Sequence, residues 1–184
     1  MVKISICDGS CLFNPGPGGW CYATVSNEQV EFVYGSEEKT TNNRMELRAV
    51  IEFLQNRGST SSISDLIYTD SRYVVDGISK WIHSWKRNGW KNAKKEAVKN
   101  EDLWKMLDEK AKNTEFRWMK GHDTPVEVVL GTVINAKDVE TKNDSNELDN
   151  NLLIRIQNQV DVFARKAAES RLNGSTCIEL KYLM

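Results

Sequence analysis

The sequence predicts an α/β domain in which helices pack on one mixed sheet. Three observations carry this. Close to the start, three apolar-rich runs follow one another with turn residues between them, which suits an antiparallel meander. From Lys39 onward, stretches with helical periodicity alternate with short strand-like ones. Two strand-like runs also share a layout: each delivers an Asp followed by small residues, Asp8-Gly9-Ser10 and Asp70-Ser71.

In the first run, Val2, Ile4 and Ile6 alternate with Lys3, Ser5 and Cys7, the period-two pattern of a strand with one buried face. That strand is expected to end at Asp8, with Gly9 and Ser10 leaving the backbone open to a ligand. Asn14-Pro15-Gly16-Pro17-Gly18-Gly19 reads as a turn that neither helix nor strand continues through. Trp20–Ser26 and Val30–Gly35 are the next strands, joined by a hairpin turn at Asn27-Glu28-Gln29.

A helix follows within Lys39–Gly58. Thr41, Asn42 or Asn43 caps it, Met45, Val50, Phe53 and Leu54 form its inner face, and Glu46 sits in its first turn. Ile63–Thr69 is a strand ending at Asp70. A second helix starts at Ser71 with Tyr73, Val74, Ile78 and Ile82 inward. Asn100 caps another, Glu101–Lys112, with Leu103, Met106, Leu107 and Ala111 inward, and Glu115–Lys120 is a strand. Val128–Ile134 reads as a short strand or hairpin. The last helix spans about Asn151–Arg171 on a stripe of Leu153, Ile156, Val160, Phe163, Ala164 and Ala167, with Asp161 beside it. Cys177–Met184 alternates and reads as an edge strand or a docked tail.

The 184 residues suit one domain with a sizeable core, without internal repeats. A net charge of −1 gives no whole-chain signal for nucleic acid, so such a partner must be met by a local patch. The clearest patch is Ser79–Lys95, where Trp81, Trp85 and Trp90 are interleaved with Lys80, Lys86, Arg87, Lys91, Lys94 and Lys95. No apolar run approaches the roughly 20 residues that span a bilayer, and the N-terminus lacks a signal-peptide pattern. Cys7, Cys11, Cys21 and Cys177 lack zinc-site spacing and read as reduced thiols of a cytoplasmic compartment.

Asp8 and Asp70 end two strands that this layout makes neighbours, and Glu46 and Asp161 come from helices able to cover that end. Crowded carboxylates repel one another unless a cation neutralises them. Oxygen-only ligands favour Mg²⁺ or Mn²⁺. Two such ions would make a phosphoryl-transfer site, and His122 could carry protons or assist product release. Taken singly, each residue also has an ordinary role: turn former, helix-dipole partner, solvated helix residue, exposed loop histidine.

Six motifs in order go further: D-G-S-C-L-F-N-P-G-P-G-G from Asp8, T-T-N-N-R-M-E-L from Thr40, T-D-S-R-Y-V from Thr69, W-I-H-S-W-K-R-N-G-W-K from Trp81, V-K-N-E-D-L-W from Val98 and W-M-K-G-H from Trp118. With them the chain resembles type 1 ribonuclease H, which cuts the RNA of RNA/DNA hybrids, and most closely its bacterial-type members with a basic handle. The resemblance is continuous from Val2 to about His122 and resumes at the last helix. It implies the ribonuclease H-like fold, a five-stranded mixed sheet with helices on both faces, in a single domain over 1–184. Within it lie a handle at about 81–98, an insertion at about 123–151 and a C-terminal tail at 172–184.

The resemblance also implies catalytic, metal-holding Asp8, Glu46, Asp70 and Asp161, with His122 as a mobile histidine. Two Mg²⁺ ions, replaceable by Mn²⁺, hydrolysis to 5′-phosphate and 3′-hydroxyl ends, no sequence specificity and a monomer follow from the same source. Asn14, Asn42 and Asn43 match positions that touch the hybrid's minor groove, where the 2′-hydroxyl separates RNA from DNA. Thr41 and Asn100 match a phosphate pocket for the DNA strand. Trp81, Trp85, Lys86, Trp90 and Lys91 match the handle surface that grips the DNA backbone, although Trp81 and Trp104 also suit core positions. Gly9, Cys11, Arg72 and Tyr73 complete the expected substrate contacts.

Three features depart from the family pattern. His122 and Asp161 are separated by 38 residues instead of a short Gly-rich loop; Gln157 and Asn158 stand where relatives commonly have Asn and Glu; Arg72 replaces a usual glutamine. The V-D-V-F-A-R-K-A-A register keeps Asp161 as the fourth acid. The insertion, with seven acidic and two basic residues from Asp123 to Asn151, is expected to be either a flap beside the metal site or a tolerated surface loop. The rival functions are a catalytically impaired hybrid- or duplex-binding module and another metal-dependent nuclease of the same fold. Intact acids oppose the first, and the T-T-N-N-R-M-E and handle motifs oppose the second.

Overall fold

The computed structural model describes residues 3–26, 29–57, 65–121, 150–172 and 182–183. Strands β1 (Lys3–Cys11), β2 (Gly16–Ser26) and β3 (Gln29–Thr40) form the antiparallel meander. Helix α1 (Asn42–Asn56) leads to β4 (Asp65–Thr69), which lies parallel to β1. Helix α2 (Arg72–Asp76), a π-helical turn (Gly77–Trp81) and α3 (Ile82–Arg87) follow directly on one another. Then come α4 (Glu101–Lys110), β5 (Thr114–Trp118) parallel to β4, and α5 (Asn150–Leu172). The five expected strands are joined by a sixth, β6 (Tyr182–Leu183), which adds to the free edge of β3 and gives the order β5-β4-β1-β2-β3-β6.

Helices cover both sheet faces. Ile4, Ile6, Ala23, Phe32 and Leu66 pack against Leu153, Ile156, Val160 and Ala164 of α5. On the other face Cys7, Tyr22, Val33 and Ile67 pack against Met45, Val50 and Phe53 of α1 and, further out, Val74, Leu103 and Trp104. Each Val, Leu, Ile, Phe or Met among them, once buried, contributes about 1.5–3 kcal/mol. The expectation of one buried face on β1 is therefore corrected. Ser5 and Cys7 are as buried as Ile6, being small enough for α1 to close over them, and the Ser5 hydroxyl donates to the Ala23 carbonyl at 2.8 Å.

The Gly-Pro-rich stretch is also corrected. Only Leu12–Pro15 turns, and β2 already begins at Gly16, pairing Gly18 with Glu37 and Gly19 with Ser36. Absent side chains matter here because a Cβ on Gly19 would overlap the Ala164 carbonyl oxygen, so α5 packs directly on the strand backbone. The inner stripe of α5 is as expected and is widened by Leu152, Gln157 and Ala168.

Two helix starts differ in detail. Thr41 occupies the N-cap position of α1 without a side-chain cap; Asn14 supplies one from the β1–β2 turn, its Oδ1 accepting the Asn42 N–H at 3.0 Å. Glu46 is the fifth helical residue, a turn deeper than expected. Asn100 precedes α4 in the left-handed region at φ 58, and its side chain turns to Tyr73 instead of capping. Ser71 caps α2 as expected, accepting the Val74 N–H. No helix among the described residues is long and apolar enough to cross a membrane. The 123–149 part of the insertion, with its Val128–Ile134 strand or hairpin, and His122 lie outside the described residues.

Candidate active site

Asp8 lies within β1, three residues before its end, a correction to the strand-tip placement. Pairing of β1 with β4 stops at Ile6 opposite Tyr68, while β1 continues beside β2 with Asp8 opposite Cys21. Asp8 thus sits where β1 outruns β4, and Asp70 follows the end of β4. Helix α1 brings Glu46 over this point. It comes close because Gly9 has no side chain: a Cβ there would overlap the backbone of Met45 and Glu46. Gly9 is consequently buried beneath the helix and not open to a ligand as expected, and its N–H donates to Asp8 Oδ1 at 2.7 Å.

Carboxylate oxygens of Asp8, Glu46 and Asp70 lie within 4.8 Å of one another. Asp8 is 5% exposed and Glu46 7%. Burial, then the charges of Asp70 and Asp161, push the Asp8 carboxyl well above the ordinary carboxylate range, with the Gly9 N–H pulling back. Burial, then the charges of Asp8 and Asp70, do the same to Glu46, opposed by the Gly9 N–H and the Asn42 amide. Asp161, half-buried on α5, faces the cluster closely enough to act on Asp8 but is not one of the three within that span.

One oxygen of Glu46 accepts from Asn42 Nδ2 at 3.3 Å, and the other, Oε2, is buried without a hydrogen-bond partner among the described residues. An ionised oxygen so placed is costly unless a cation meets it. Three converging carboxylates with an unspent lone pair fit a divalent cation held by oxygen ligands.

Several expected substrate residues gather around this end. Asn14 and Asn42 meet at the start of α1, with exposed Asn43 and half-buried Thr41 beside them. Cys11 is half-buried, its thiol directed to the Thr40 carbonyl at 3.4 Å. Tyr73 Oη accepts from Asn100 Nδ2 at 3.1 Å and from Trp104 Nε1 at 3.0 Å, so the tyrosine and the expected phosphate-pocket asparagine form one unit. Arg72 lies over the Trp118 ring.

The handle is an aromatic stack with a cationic exterior. Trp104 is fully buried and contacts Tyr73 and Trp85, whereas Trp81, at 38% exposure, is a surface residue and not the core residue it also suited. Lys105 lies over Trp90. Lys86 is spent on Asp108 at 2.8 Å. Arg87, Lys91, Lys94 and Lys95 are exposed and form no ion pair among the described residues.

The residue that motif reading undervalued is Gln157. It is buried at 3% exposure, and its Nε2 donates to Asp8 Oδ2 at 3.3 Å, tying α5 to the first acid. The available signal was an amide beside Ile156 on an otherwise apolar stripe, one helical turn before Asp161.

Comparison with known proteins agrees with this geometry. The RNase H family model matches residues 2–131. A ribonuclease H of Herminiimonas arsenicoxydans is 45% identical over 148 residues, covering 79% of this chain and all of the relative. One of Cupriavidus metallidurans is 50% identical over 126 residues, covering 67% of this chain and 86% of the relative. Among solved structures, a type 1 RNase H with the type 2 active-site motif aligns at TM-score 0.58 and 33% identity, over 66% of this chain and 64% of that one. An RNase H1 in complex with RNA/DNA hybrid aligns at TM-score 0.55 and 15% identity over 92% of this chain and 99% of that one, a likeness of fold.

Proposed function

Because the chain belongs to the ribonuclease H family, we propose a division of labour among its residues for the reaction it performs, hydrolysis of the RNA strand of RNA/DNA hybrids. Asp8, Glu46 and Asp70, with Asp161 from α5, hold the divalent ions. Mg²⁺ is the physiological choice and Mn²⁺ a substitute, since the ligands are all oxygens. When bound, two such ions supply the positive charge that activates the attacking water and steadies the leaving oxygen, giving 5′-phosphate and 3′-hydroxyl ends. Glu46 offers its unpartnered Oε2, and Gln157 and the Gly9 N–H orient Asp8. His122 serves as the proton-carrying histidine, on the strength of the W-M-K-G-H motif.

Asn14, Asn42 and Asn43 face the minor groove, and Thr41 with Asn100 takes a DNA-strand phosphate. The exposed cations Arg87, Lys91, Lys94 and Lys95 attract the DNA backbone, with Trp81 exposed beside a sugar. A monomer is proposed from the resemblance, and a cytoplasmic setting from the free thiols Cys7, Cys11 and Cys21. The non-catalytic binding reading is not favoured, because an impaired module has no use for a buried carboxylate oxygen aimed at an absent partner.

The carrying observation is the convergence of Asp8, Glu46 and Asp70 around the unpartnered Glu46 oxygen. A cleavage assay on labelled hybrid, single-stranded RNA, duplex RNA and duplex DNA tests the reading. Wild type should cut only the hybrid's RNA, Asp70→Asn should abolish cutting with binding retained, and Asp161→Asn should lower it severely. Cutting that survives Asp70→Asn would overturn the assignment.

A further inference from the structure

Arg72 is the first residue of α2, two positions beyond Asp70. Its guanidinium carbon sits 3.6 Å from the centre of the Trp118 ring, well within cation–π reach. Trp118 is itself pinned, its Nε1 donating to the Asp70 carbonyl at 2.9 Å and its backbone paired opposite Thr69. The stack is therefore tied to an acid of the active site, yet it faces outward: Arg72 is exposed and Trp118 is 37% exposed.

Two other arginines are spent on acids, Arg44 on Asp102 at 2.7 Å and Arg117 on Glu115 at 2.7 Å. Arg72 makes no ion pair or hydrogen bond among the described residues. A guanidinium whose face is covered by an indole still presents its in-plane N–H fork at the edge. That fork matches two phosphate oxygens, while the covered face cannot also stack on a base.

We propose that Arg72, held against Trp118, grips a backbone phosphate of the RNA strand beside the bond that is cut, and that Trp118 is its positioning residue. The inference rests on the proposed function and deepens it by assigning a substrate group to a site that cuts hybrids.

The test measures hybrid binding in EDTA, where nothing is cut, across a salt series. Arg72→Gln should weaken binding about tenfold or more, as a lost charge-assisted hydrogen bond does, and should reduce the salt slope by about 0.9, one phosphate's worth. Trp118→Leu should reproduce most of that loss, and Trp118→Phe, which keeps an aromatic face, should restore it. Thermal midpoints identify any variant that merely unfolds. Hybrids with a single methylphosphonate at successive RNA positions locate the partner: one neutral linkage should weaken wild type and leave Arg72→Gln unaffected. Unchanged affinity and slope in Arg72→Gln, or the absence of any linkage coupled to Arg72, would overturn the proposal alone if the wild type still cuts hybrids. A wild type that neither binds nor cuts them would overturn both readings.

Discussion

The acid end and the basic handle treat charge in opposite ways. At the acid end Asp8 and Glu46 are buried, like-charged and pushed toward their protonated forms. At the handle Arg87, Lys91, Lys94 and Lys95 are exposed and, among the described residues, unpaired around a core of Tyr73, Trp85 and Trp104. Exposed charges cost little because water and salt screen them. Buried ones stay strained until a counter-charge arrives. A site for a small cation is thus built from groups that cannot relax, and the surface proposed for a polyanion from groups that can.

The largest test of this contrast lies in two glycines. A Cβ on Gly9 would overlap the backbone of α1, whereas the nearest atoms to a Cβ on Gly77 belong to the Trp104 indole. Gly9→Ala is expected to cost more than the ~1–3 kcal/mol of ordinary overpacking and to lower kcat sharply, since it drives Glu46 from Asp8. Gly77→Ala should stay within about that range and show mainly in KM, because Trp104 supports Tyr73 and Trp85. Thermal denaturation and steady-state kinetics measure both; equal losses confined to KM would break the contrast.

The next effect has the opposite sign. Glu46→Gln should abolish cleavage yet stabilise the metal-free protein by about 1–2 kcal/mol, roughly 2–8 °C in Tm. The sign follows from linkage. A carboxyl whose folded pKa is raised binds more protons when folded, so stability is lost as pH rises through that pKa and is regained toward the unfolded value near about 4.3. Thermal scans in EDTA between pH 5 and 8 should show the wild type weakening as pH rises and the variant weakening less. A variant less stable than wild type at pH 8 would mean that Glu46 is already compensated.

Much of this architecture is legible in the residues. Alternation at Ile4 and Ile6 and the helical spacing of Met45, Val50 and Phe53 place the strands and α1, because burial obeys those periods. The motifs around Asp8, Glu46 and Asp70 name three acids that the fold brings together. What was not legible depends on neighbours distant in sequence. Ser5 and Cys7 look like a solvent face until α1 covers them. Gly9 and Gly19 look like turn residues until a helix backbone fills the space beside them. Trp81 and Trp104 look alike in sequence and both touch Tyr73, and packing against Gly77 within the α1-side core makes only the second a core residue.

Gln157 provides the smallest test, and it asks whether the acid end reaches into α5. Its amide gives Asp8 Oδ2 a long hydrogen bond, while its own Oε1 is buried without a partner among the described residues. Gln157→Leu removes a weak bond and an orphaned acceptor together, so global stability should change by less than about 1 kcal/mol. Asp8, however, loses a donor to its charged form, and its already raised pKa rises further. A divalent ion must then compete with a more tightly held proton. Calorimetric titration with Mn²⁺ should show about fivefold weaker binding at pH 6.5, the equivalent of roughly 1 kcal/mol, and the difference should shrink at pH 8, where protons compete less. Tighter binding at both pH values would mean that the amide occupies the oxygen the ion needs, and the tie from α5 would then be a brake on the site instead of a support.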